Sequence, residues 1–148
     1  MGWIGWLAVL LLAAAPAGPP PAHGDEATMP RVSARLRGDK PAYAPGEPIT
    51  LTLRVGNETD APIVLTFRTA QRFDVVVSDA AGRDVWRWAT GRMFAQAMGR
   101  ETIPPSGALV YTARIETKLA PGAYLATGVV TAQEGRLTAS VALRVEPR

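Results

Sequence analysis

QRFDVVVSDAAGRDVWRWATGRMFAQAM, residues 71–98, reads as one β-hairpin followed by a loop. Phe73, Val75 and Val77 alternate with Asp74, Val76 and Ser78, the period of two that a strand shows when one face is buried. Asp79, Ala80, Ala81 and Gly82 supply the turn, and Val85 begins the return strand. On that return Trp86 and Trp88 share a face while Arg87 points the other way, so backbone geometry sets two indoles side by side. The segment after them contains MFAQAM. It has helical propensity but room for only about a turn or two, so a short helix and an ordered loop both fit.

Outward from this hairpin the same period recurs. Upstream, Val32, Ala34 and Leu36 make a modest strand, and residues 43–48 form a turn whose two prolines cannot donate to a central ladder. Ile49, Leu51, Leu53 and Val55 then give the cleanest alternation in the chain. Ile63, Leu65 and Phe67 follow the turn at 56–60. Downstream, the breaker at 103–107 precedes Leu109, Tyr111, Ala113 and Ile115. Tyr124, Ala126, Gly128 and Val130 face inward after a Pro-Gly turn. There Tyr124 occupies the position from which a tyrosine of an immunoglobulin-like sandwich bonds back to the chain upstream. Leu137, Ala139, Val141, Leu143 and Val145 alternate to the end. About eight strands, turn signals every 8 to 12 residues or so and no βαβ spacing predict an all-β fold, an immunoglobulin-like antiparallel β-sandwich.

The 148 residues, 47% hydrophobic and 20% charged, suffice for one core. Thirteen prolines and fourteen glycines favour short elements with frequent turns. The net charge of +3 comes from fourteen arginines and two lysines against thirteen acidic residues. The arginines are scattered along the chain, without the clustering and exposed aromatics of a nucleic-acid footprint, so no nucleic-acid partner is expected. The absence of cysteine rules out disulfide staples, thiol nucleophiles and thiolate zinc sites.

Residues 3–15, WIGWLAVLLLAAA, look like the apolar region of a secretory signal, and Ala15-Pro16-Ala17 offers a small-x-small cleavage pattern. We therefore expect a signal peptide over 1–17, a flexible Pro-rich linker over 18–30 and the domain over 31–148. Export to the periplasm or the extracellular space follows, with membrane anchoring by an uncleaved N-terminal segment as the alternative. Apart from that segment no membrane association is expected.

No catalytic constellation is visible. His23, the only histidine, lies in the linker, and the serines lack a G-x-S-x-G context. Asp74, Asp79 and Asp84 cluster around one hairpin and could in principle take calcium. The simpler reading is that Asp79 caps the turn, Asp84 flanks it and Asp74 lies on a solvated strand face. We expect no enzyme activity, no metal and no cofactor. Trp86 and Trp88 read first as packing anchors. The contact surface, if the domain binds a protein, is Trp88, Arg92, Met93, Phe94 and Arg100 on the loop over residues 89–100, since Trp, Met and Arg are enriched in interface cores.

Gln71-Arg72-Phe73-Asp74, Val77-x-Asp79, Gly82, Val85-Trp86-Arg87-Trp88 and Phe94-Ala95-Gln96-Ala97 together resemble the BsuPI-type intracellular proteinase inhibitor family. Leu51-x-Leu53-x-Val55-x-Asn57 and Pro121-Gly122-x-Tyr124 fit the same pattern, so the resemblance covers residues 49–124. It implies an immunoglobulin-like β-sandwich and, for the family's namesake, inhibition of a bacterial serine protease. The expectation is an exported, non-catalytic protein-binding domain whose partner is a serine protease or another envelope protein. The alternative is a structural or accessory cell-envelope module without inhibitory activity.

Overall fold

The computed structural model describes residues 31–148. The signal peptide and linker expected over 1–17 and 18–30 lie outside the described residues. Nine strands follow one another: β1 (Val32–Gly38), β2 (Ile49–Asn57), β3 (Ile63–Phe67), β4 (Phe73–Asp79), β5 (Asp84–Arg87), β6 (Gly99–Ile103), β7 (Ala108–Ile115), β8 (Gly122–Val130) and β9 (Leu137–Val145). All pairings between them are antiparallel, in a three-stranded sheet β1-β2-β7, a ribbon β3-β6 and a four-stranded sheet β5-β4-β8-β9. This is the expected immunoglobulin-like sandwich. The additional strand is β6, which carries one buried apolar residue, Ile103, and therefore shows no alternation in sequence. Pairing with β3 makes it a strand.

The core lies between the sheets. Leu51, Leu53 and Val55 of β2 meet Val75 and Val77 of β4 and Ala126 and Val130 of β8 in one buried cluster. The layers pack tightly at Gly128, where a Cβ would lie 3.2 Å from Leu53 and 3.5 Å from Leu36. Each fully buried side chain of Val, Leu or Ile size contributes about 1.5–3 kcal/mol relative to exposure. A dozen of the larger ones have under 2% exposure, so burial supplies the cohesion that disulfides would otherwise provide.

Side-chain bonds fasten the connections. Tyr124 donates its hydroxyl to the Ala120 carbonyl at 2.6 Å, the predicted return bond at the start of β8. Tyr43, read from sequence as part of a turn, is a core residue with 2% exposure. Its hydroxyl donates to Asp39 at 2.8 Å and accepts from the Lys40 N–H at 3.0 Å, which lets a phenol sit inside. Asn57 is also buried. Its amide nitrogen donates toward the carbonyls of Ala61, Ile103 and Pro104, and its oxygen accepts from both the N–H and the hydroxyl of Thr59. It thereby ties the β2–β3 turn to the end of β6.

Candidate functional site

The hairpin that carries the site is built as its alternation requires. Trp86 stands opposite Val77 on the inward face, and the Trp88 N–H donates to the Val75 carbonyl at 2.9 Å, extending the ladder one residue beyond β5. Asp79 closes the turn by accepting from the N–H groups of Ala81 and Arg83 and from the Arg83 guanidinium. The Arg83 N–H is foremost in holding its carboxyl below the usual value; desolvation opposes it, and the Ala81 N–H and the Arg83 charge add to the lowering. Gly82, at φ +80°, takes the left-handed conformation of that turn.

Asp74 departs from expectation. Instead of a solvated strand residue it is buried, with 4% exposure. One oxygen accepts from Arg87 Nε at 2.6 Å and the other from the N–H groups of Val75 and Ala89. Arg87 pairs with Val76 across the strands, so Asp74 is its diagonal neighbour on the same face. Ala89, just beyond the hairpin, bonds this carboxylate, a contact that the period of two does not contain. Asp84 accepts from Ser78, so the three acidic side chains of the hairpin serve separate partners. No group of three or more metal-ligating side chains forms among the described residues.

Residues 88–98 are loop, with turn geometry over 88–91 and no helix. Its base is a run of aromatic rings crossing both sheets. Tyr111 of β7 stacks on Phe73 of β4 at 5.0 Å, Phe73 meets Trp88 at 4.1 Å, and Trp88 meets Phe94 at 5.8 Å. Arg92 lies over the Trp88 ring at 4.3 Å and donates from Nε to the Trp88 carbonyl. Pairs of this kind add about 0.5–1.5 kcal/mol each beyond area burial. A bond from the Ala70 N–H to the Ala95 carbonyl at 2.9 Å fastens the far side.

Of the residues singled out from sequence, the structure brings Trp88, Arg92 and Phe94 into one cluster. Met93, between them, is 98% exposed, and Met98 beyond is 72% exposed. Arg100 is not on the loop but in β6, opposite Thr66. The loop ends at 98 because β6 begins at Gly99, where a Cβ would run into the Arg72 guanidinium. Arg72 itself bonds to Glu101 and to the Thr69 carbonyl and lies over the Phe67 ring. Tyr111, whose hydroxyl is buried without a partner, has its pKa pushed up to about 12, by burial first and then by the Glu101 carboxylate, with Arg72 opposing.

The model of the BsuPI family, described as intracellular proteinase inhibitor, matches residues 36–135. The chain belongs to the BsuPI family. The BsuPI pattern is now legible as architecture: Gln71 bonds the Phe73 carbonyl, Arg72 reaches Glu101, Phe73 enters the ring series and Asp74 holds Arg87 and Ala89. The family description also corrects one expectation. It names an intracellular inhibitor, and the assignment to the periplasm or extracellular space, with its anchored alternative, is overturned. The apolar stretch over 3–15 and the small-x-small pattern at Ala15-Pro16-Ala17 had carried that assignment.

No curated protein matches the chain. Among solved structures, a Paenibacillus sp. cycloisomaltooligosaccharide glucanotransferase complexed with cycloisomaltoheptaose is similar at 19% identity and TM-score 0.51, over 76% of this chain and 13% of that one. The sporulation control protein Spo0M from Bacillus subtilis is similar at 18% identity and TM-score 0.47, over 81% of this chain and 50% of that one. The chain thus spans half or less of these two proteins. At such identities the likeness concerns the fold alone.

Proposed function

We propose that the domain is a non-catalytic inhibitor that occludes a serine protease with the loop over residues 88–98. The observation that carries this reading is Met93, almost fully exposed at the tip of a loop whose base is held by ring stacking and by Asp74. A solvent-facing methionine on a fixed frame lowers the ordering cost of binding while leaving one adaptable side chain to fill a pocket. Trp88 and Phe94 act as the frame, Arg92 is a basic flank held over Trp88, and Arg100 contributes from the neighbouring strand. Membership in a family described as proteinase inhibitors supports a protease as partner.

Incubation of the full chain with subtilisin-like and trypsin-like proteases tests the proposal. Stoichiometric inhibition and a complex on gel filtration are expected. Neither inhibition nor a complex at micromolar concentration would overturn it, and a complex that leaves the protease active would reduce the domain to an accessory binding module.

A further inference from the structure

We propose that the outer face of the β1–β2 pair is an oxyanion site that takes a phosphate group. The antiparallel register sets Arg35 opposite Arg54, Arg37 opposite Thr52 and Ser33 opposite Gly56. These residues other than Gly56, together with Glu58, line a cavity of about 420 Å³, within the size range of small-ligand sites. It shares no residue with the 88–98 loop.

Like charges directly opposite on a sheet repel and cost stability. Arg35 and Arg54 are such a pair, and neither they nor Arg37 has a carboxylate in ion-pair range among the described residues. Five of the fourteen arginines, at 72, 83, 87, 114 and 144, do. Three guanidiniums against the single Glu58 carboxylate leave two net positive charges, which matches a phosphate dianion. Gly56 contributes by having no side chain: a Cβ there would sit 2.8 Å from Ser33 Oγ and 3.0 Å from Arg54 Nη1. The guanidinium of Arg54 thus reaches across bare backbone toward the Ser33 hydroxyl. Planar guanidinium forks bind phosphate through two parallel hydrogen bonds, and the Ser33 and Thr52 hydroxyls can donate to its remaining oxygens.

Amide NMR titration of the full chain tests this, using inorganic phosphate, glycerol 3-phosphate and sodium chloride at matched ionic strength. Saturable shifts centred on Ser33, Arg35, Thr52 and Arg54 are expected with both phosphates and not with chloride. Tighter binding of the ester assigns an organic phosphate, and equal binding assigns the free anion. Arg35→Gln and Arg54→Gln should each weaken binding about tenfold or more. Without phosphate, both should melt at or above the parent temperature, because a like-charge contact is gone. Chloride reproducing the shifts, or glutamine variants binding phosphate as well as the parent does, would overturn the site.

Discussion

Asp74 accepts a hydrogen bond from Arg87 Nε at 2.6 Å with one oxygen and from the Ala89 N–H at 3.1 Å with the other. One buried carboxylate therefore couples the hairpin to the loop that follows it. Replacing Asp74 by Ala leaves the Val75 and Ala89 N–H groups without their acceptor, with an expected loss of about 2–4 kcal/mol in urea unfolding. Arg87→Ala should cost less. Arg87 is mostly exposed, and the Asp74 carboxylate keeps its two backbone donors. A larger loss for Arg87→Ala than for Asp74→Ala would contradict this description.

Trp88 and Met93 should separate stability from binding. Trp88→Ala removes a half-buried ring that contacts Phe73, Phe94 and Arg92, and should cost about 2–3 kcal/mol. Met93→Ala should change stability by no more than about 0.5 kcal/mol, as surface substitutions do. On the proposed function it should weaken protease inhibition about tenfold or more. Paired thermal melts and inhibition assays measure both effects.

Asn57→Ala should be among the more damaging polar substitutions. The amide spans the β2–β3 turn and the end of β6, and its removal leaves carbonyls and the Thr59 N–H without their partner. A loss of about 2–4 kcal/mol in chemical denaturation is expected. Asn57→Asp should not restore the parent stability, since a carboxylate cannot donate to the Ala61 and Ile103 carbonyls.

Tyr111 makes an alkaline prediction. Its folded pKa is raised to about 12, above the unfolded value near 10, so the folded state holds this proton more tightly. The stability tied to it is fully present below about pH 10 and is lost as pH rises toward 12, at most about 2–3 kcal/mol in all. Absorbance titration should show the Tyr111 phenol ionising well above pH 10 or together with unfolding, and burial raises the Tyr43 phenol as well. Tyr111→Phe should remove the Tyr111 share of the late absorbance change. Because the hydroxyl has no partner in the fold, this variant should be as stable as the parent at neutral pH or more so.

Much of this molecule is legible in its alternation of apolar residues. The positions at 51, 53 and 55 and at 73, 75 and 77 had to face inward because a strand repeats every two residues, and they are buried. The return bond of Tyr124 and the turn role of Asp79 followed from local chemistry in the same way. The local pattern does not contain partners distant in sequence. Gly99–Ile103 became a strand only through β3, Tyr43 entered the core through the end of β9, and the buried Asp74 is bonded by Ala89 from beyond β5. Arginines that look scattered along the chain at 35, 37 and 54 meet on one face through the register of β1 and β2. Period and turn chemistry act over a few residues, so the sequence by itself determined eight of the nine strands, their inward faces and the all-β class. Register, loop placement and the company each charge keeps depend on pairing across the sandwich, and only the tertiary structure decided those.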